Sequence, residues 1–224
     1  MKNLIVLTFI YLVGVSILLI FNELNYRRLN AKGEITRKFA HFATTVATIP
    51  FPYIFKTHWY VLILAVIFAA VLFITQYKGQ LKSIHDVQRK SVGSYLLPLS
   101  IYVTFFISCS LHNKFVYILP MLILGICDPM AAILGINIKN YNGKIKLFGH
   151  KYEKTWLGSG AFLVTSFVIS IIALYFHRGV FDLKTFWLAL VVAVASTLGE
   201  FFSWRGSDNL TIPLSAVLML VLFL

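Results

Sequence analysis

The chain of 224 residues is 59% hydrophobic and only 12% charged, with 20 basic and 8 acidic side chains and a mean hydropathy of +0.83. Soluble domains run at about 45–50% apolar and about 25% charged residues, so an ordinary water-soluble domain is excluded and most of the surface must face lipid. Several apolar segments of about 20 residues use up this length, which makes residues 1–224 a single integral membrane unit.

Lys2 precedes an apolar run from Leu4 to Phe21. The run is long enough to span, and no small-residue cleavage site precedes Asn22, so it is expected to stay as a helix rather than to act as a signal peptide. Hydrophobic runs read against charged breaks predict further spans at 39–55, 59–76, 95–111, 115–135, 158–176, 184–199 and 210–224, the first lying at 3–21. The expected fold is an all-α polytopic helical bundle with about eight transmembrane helices. The weakest spans are 39–55, which ends at Pro50 and Pro52, and 210–224, which has only 15 residues. Seven crossings are the alternative.

With eight crossings, 15 of the 20 basic residues fall on one side and Lys2, Lys56, Lys114, Arg178 and Lys184 on the other. The positive-inside rule makes the first side cytoplasmic and both termini external. Acids contribute little to topology, yet every acid but Asp182 lies on or near that same side, which marks it as the working face. Cys109 and Cys127 sit in apolar stretches and form neither a metal-type pair nor a disulfide framework. The histidines other than His41 show no ligand spacing, and no nucleic-acid partner is expected.

Five inner-face motifs carry the polar chemistry. On a helix, Glu34, Arg37, Lys38 and His41 share one face at the membrane boundary, as a salt-bridged anchor or as a binding stripe. Arg89, Lys90 and Gly93 precede a helix start, where unsatisfied amides and a positive dipole suit phosphate; a plain topogenic loop is the other reading. Asp128 lies inside an apolar segment, where a carboxylate is costly and is expected to face a partner or a wet cavity. Pro129 removes the amide that would bond the Gly125 carbonyl, so the helix is expected to break near Asp128, with Asp128 capping a new half-helix. A cap could be Ser or Asn at lower desolvation cost, which favours a metal-binding carboxylate. Ala131 and Gly135, four apart, allow a neighbouring helix or a ligand to approach closely. Lys154, Thr155, Gly158 and Ser159 again set a cation, hydroxyls and a glycine at a helix start. Gly143-Lys144 is followed by Ile145 and lacks the earlier glycine, so this is not a P-loop. Glu200, Asp208 and Asn209 offer hard oxygen ligands of the kind Mg²⁺ accepts beside waters and phosphates.

The ordered series Glu34-x-x-Arg37-Lys38-x-x-His41, Arg89-Lys90-x-x-Gly93, Asp128-Pro129-x-Ala131-Ala132-x-x-Gly135, Lys154-Thr155-x-x-Gly158-Ser159 and Glu200 followed by Asp208-Asn209-x-Thr211-x-Pro213 resembles the dolichol kinase, phytol kinase and CTP-dependent diacylglycerol kinase family. The resemblance spans roughly residues 34 to 213. It departs from the family at Trp156-Leu157, where a small or acidic residue often precedes the glycine. It implies a polytopic kinase that moves the γ-phosphate of CTP to the primary hydroxyl of a lipid alcohol: a polyprenol, phytol or diacylglycerol.

On that reading Asp128, Glu200 and Asp208 hold Mg²⁺. Arg37, Lys38, Arg89, Lys90 and Lys154 take the phosphates, assisted by Gly93, Gly135, Thr155, Gly158, Ser159 and Asn209. His41 or one of the acids, Asp128 or Glu200 among them, takes the proton of the lipid hydroxyl. Glu34, Pro129 and Thr211 complete the motifs. Two alternatives stand beside it: nucleotidyl transfer like that of phosphatidate cytidylyltransferases, and a small transporter in which Asp128 forms an ion site.

Overall fold

A computed structural model describes residues 2–29, 33–85, 92–137, 143–147 and 150–224. The helices follow the apolar runs: α1 (Lys2–Leu29), α2 (Gly33–Thr48), α3 (Phe51–Ile54), α4 (His58–Tyr77), α5 (Lys82–His85), α6 (Gly93–Ser110), α7 (Phe115–Leu122), α8 (Asp128–Asn137), α9 (Trp156–Arg178), α10 (Leu183–Phe201) and α11 (Asp208–Phe223). The fold is an all-α polytopic membrane bundle. Among the described residues, six helical segments are long and apolar enough to cross a bilayer, and α11, with 16 residues, is a shorter apolar helix. The predicted span at 39–55 does not form one apolar rod. It is replaced by α2, which begins earlier and stops at the Pro50 turn, followed by the single turn of α3.

The burial pattern of α2 is inverted relative to a soluble helix. Lys38, His41, Thr44, Thr45 and Thr48 are buried, while Ile35, Phe39 and Phe42 point outward. In a bilayer this is the economical arrangement, because a polar face finds partners only inside the protein.

The predicted helix break at Asp128 is absent. A π-helical stretch, Ile123–Cys127, joins α7 to α8 without interruption, and Asp128 itself is helical at φ −65°, ψ −46°. One widened turn absorbs the hydrogen bond that Pro129 cannot donate, which in a membrane is cheaper than a broken helix with several exposed carbonyls. This composite helix is the axis of the core: Tyr117, Leu119, Met121, Ile123 and Leu124 are fully buried against Phe105 and Phe162, and the Tyr117 hydroxyl donates to the Thr48 carbonyl at 3.2 Å.

Close helix approach depends on missing side chains. A Cβ on Gly158 would meet Thr155 Oγ1 at 2.9 Å and the Ala131 carbonyl oxygen at 3.2 Å, so α9 lies directly against the Ala131–Gly135 face of α8. The close approach expected at that face is made by a neighbouring helix. Between α8 and α9 the chain forms an antiparallel hairpin, β1 (Lys144–Leu147) with β2 (His150–Thr155), irregular between Lys144 and Lys146.

The helices alternate in direction, so their ends sort into two groups. At one end the Ser83 amide donates to Glu23 at 2.9 Å, Thr36 donates to the Ser83 carbonyl at 3.0 Å and the Val92 amide donates to the Arg205 carbonyl at 2.9 Å. At the other, Lys184 donates to the Leu224 carbonyl at 3.3 Å, and Phe115 stacks on His177 with ring centroids 4.0 Å apart. There the left-handed Gly179 (φ 69°) ends α9, and Asp182 caps α10 by accepting from the Thr185 amide at 2.7 Å.

Candidate functional site

At the first of these ends, ionisable side chains from four helices and the hairpin converge. From the inward face of α2, Lys38 donates to Asp128 Oδ2 at 2.5 Å, with both side chains almost wholly buried. One turn on, His41 Nε2 lies 3.7 Å from the same oxygen, too far for a hydrogen bond; the nitrogen is buried and has no hydrogen-bond partner among the described residues. Asp128 therefore faces cations on α2 and does not cap α8.

The second cluster centres on Lys154 at the end of β2. Its ammonium lies 2.8 Å from Glu200 Oε1 on α10 and 3.0 Å from Asp208 Oδ2 on α11. The other Glu200 oxygen accepts from the Ser159 hydroxyl at 2.9 Å. Burial by itself would drive Lys154 toward neutrality, but Asp208, Glu200 and Asp128 together hold the ammonium above the ordinary lysine range. Because Asp128 reaches Lys154 electrostatically, the two clusters form one site.

Several residues expected near phosphate serve as scaffold here. The Thr155 hydroxyl caps α9, accepting from the Gly158 amide at 3.2 Å. Gly135 and Gly158 sit in the α8–α9 contact. Gly93 packs against Gly206 and Asn209, and Asn209 Nδ2 donates to the Gly93 carbonyl at 2.6 Å, pinning the first turn of α6 to the first turn of α11. Thr211 donates to the Gly199 carbonyl at 2.7 Å, tying α11 to α10. Pro129 follows the π turn. Glu34 lies in the first turn of α2, while Arg89 and Lys90 lie outside the described residues.

Arg37, His41, Ser94 and Asn209 line a half-open cleft of about 400 Å³ beside Asp128, floored by Leu19, Thr44, Phe68, Leu72 and Leu97. The candidate site residues read from the sequence do not include Ser94 or the apolar floor. Nor do they contain the clamp of Glu23, Thr36 and Ser83 that holds α5 over α1 and α2. A pair of serine and glutamate 60 positions apart carries no local signal.

The hard carboxylate oxygens fit a magnesium ion bound together with phosphate. Among the described residues no three His, Cys, Asp or Glu side chains gather into a metal cage, so any such ion would rest on one or two carboxylates with waters and substrate oxygens.

The chain is 29% identical over 198 residues to the phytol kinase of Synechocystis sp., covering 88% of this chain and 82% of that protein. It is 35% identical over 123 residues to the uncharacterized protein RP860 of Rickettsia prowazekii, covering 53% of this chain and 54% of that one. No family model and no solved structure matches. The first similarity is distant but covers most of both chains.

Proposed function

We propose that this protein is a lipid-alcohol kinase that transfers the γ-phosphate of CTP to the primary hydroxyl of a membrane lipid at the cytoplasmic face. The observation that carries the reading is the convergence of Lys38–Asp128 and Lys154–Glu200–Asp208 at one end of the bundle, beside an opening that leads to apolar walls. Phosphoryl transfer requires little beyond alignment and charge neutralisation, and paired lysines and carboxylates supply both. With a triphosphate bound, each lysine would exchange its carboxylate for phosphate oxygens, and the carboxylates so released would be available to hold the metal. This exchange keeps buried charges balanced in both states.

Asp128, Glu200 and Asp208 would hold Mg²⁺, which on binding neutralises the β- and γ-phosphates. Lys38, Arg37 and Lys154 take the non-bridging oxygens, and the sequence motif adds Arg89 and Lys90 to that set. His41, buried beside Asp128 with a nitrogen free to accept, takes the proton as the lipid oxygen forms its bond to the γ-phosphorus and the bond from that phosphorus to the β-bridging oxygen breaks. The products are a lipid monophosphate and CDP. Asp128 keeps the resulting imidazolium stable by charge.

Supporting this reading are the ordered sequence motifs, the similarity to a phytol kinase and the one-sided polar site. The test is purified protein in lipid nanodiscs with Mg²⁺, a mixed lipid-alcohol pool, and CTP or ATP labelled at either the α or the γ position. Label entering lipid from γ-labelled CTP alone is the expected result. Label from the α position would instead establish nucleotidyl transfer, and no transfer from any donor would refute the kinase.

A further inference from the structure

The cleft at His41 does not end blindly. Three of its lining residues, Leu19, Thr44 and Phe68, also line a larger, partly open groove of about 660 Å³ whose walls are otherwise almost entirely apolar. One wall is α1 (Leu12, Val15) and the other α4 (Leu64, Ala65), with α2, α3 and α6 behind them. The two walls are the least buried of the six candidate spans, so the groove sits at the periphery of the bundle rather than in its core.

Its length is informative. The lining runs from Leu19 back to Tyr11 on α1 and from Val71 back to Val61 on α4. At 1.5 Å per residue that is about 12–15 Å. The hydrocarbon core is about 30 Å thick, so the groove matches the depth of a single leaflet. At its polar end stands an imidazole nitrogen that is buried without a hydrogen-bond partner among the described residues, next to Arg37. An orphaned buried acceptor or donor is expensive, and a ligand hydroxyl would satisfy it.

We infer that this α1–α4 groove is the tail site for one chain of a single-chain lipid alcohol drawn from the site-side leaflet, with its terminal hydroxyl placed against His41 Nε2. The inference rests on the kinase reading and adds the substrate class: one linear apolar track ending at one hydrogen-bonding group matches an alcohol whose hydroxyl terminates its only chain. A two-chain glycerolipid would have to leave its second chain outside this track, in the bilayer.

Two measurements on the full-length protein in nanodiscs test it. First, a hexadecanol carrying a terminal diazirine is photolysed without nucleotide and the adducts are mapped. Adducts on the α1 and α4 segments facing the groove, competed by phytol and not by diacylglycerol, are expected. Adducts elsewhere, or equal competition by diacylglycerol, overturn the inference. Second, Ala65→Phe fills the groove away from the polar site. It should raise KM for phytol by about tenfold or more while leaving KM for CTP and turnover of a short soluble alcohol unchanged. Ser16→Phe, at the exposed rim of the same groove, gives the same readout if Ala65→Phe does not fold. An unchanged KM for phytol overturns the inference. The two readings fail separately: groove adducts without phosphoryl transfer from any nucleotide sink the kinase and keep the groove, whereas lipid phosphorylation with adducts elsewhere does the reverse.

Discussion

Lys154→Met is the most informative single change. The ammonium is shared by Glu200 Oε1 at 2.8 Å and Asp208 Oδ2 at 3.0 Å, and the side chain is only 16% exposed. Together the three groups carry one excess negative charge; the substitution leaves two buried carboxylates with no cation between them. At an effective dielectric of about 20, a contact of 3 Å is worth roughly 5–6 kcal/mol before desolvation is subtracted. Removing one partner of a buried pair costs about 3–5 kcal/mol net, because the remaining charge has lost its compensation. Unfolding titrations in detergent should show a loss of that size. Asp208→Asn in the Lys154→Met background restores the original excess charge, so most of the stability should return, with a coupling of about 2 kcal/mol or more between the two sites. Both variants should nevertheless lack kinase activity, because the proposed mechanism also assigns Lys154 and Asp208 to the metal–triphosphate. Additive stability losses in the double variant would refute the charge-balance argument, and full activity in either would refute the assignment of the site.

Asp128→Asn keeps the shape and removes the charge that faces Lys38, and it should abolish transfer of label from γ-labelled CTP while the protein still folds; an active, folded variant would defeat the role given to Asp128. Gly158→Ala should cost about 1–3 kcal/mol by forcing α8 and α9 apart, whereas Gly160→Ala, with open space at its Cβ, should be silent in the same unfolding assay. For Lys154 the folded value is raised. Its contribution to stability is thus complete below the ordinary lysine value near 10.5 and is lost only as pH rises through the higher folded value, so unfolding scans between pH 6 and about 9 should show no loss from this group. At the opposite end, Arg178 and the Thr185 amide hold Asp182 below the ordinary carboxylate range. Its helix cap should therefore persist above the usual aspartate value and fail only as pH drops through the lower folded value. Asp182→Ala should fray α10 without changing turnover, as measured by hydrogen exchange and kinase assay.

Much of the architecture was legible before any coordinates. The long apolar runs mark their helices because a single helix satisfies its own backbone in a bilayer, and the acids other than Asp182 were already assigned to one side. Asp128, Lys154, Glu200 and Asp208 stood out because a charge at a membrane boundary demands a partner. Who that partner is did not follow. Lys38 and Asp128 are 90 positions apart, and Lys154 and Asp208 are 54 apart; each pairing depends on how α2, α8, α10 and α11 pack. The expected break at Pro129 failed for a similar reason: local chemistry establishes that one hydrogen bond is lost, but only the surrounding helices decide whether the chain breaks or widens by a turn.

Sequence alone therefore determined the solvent, the polytopic helical plan and the cast of ionisable residues, since hydropathy and charge act residue by residue along the chain. The tertiary structure decided that α2 turns its polar face inward, that Lys154 stands between two carboxylates, and that the cleft at His41 continues into an apolar groove between α1 and α4. Those features arise where distant helices meet, and the energy of such contacts belongs to pairs of surfaces rather than to any one stretch of chain.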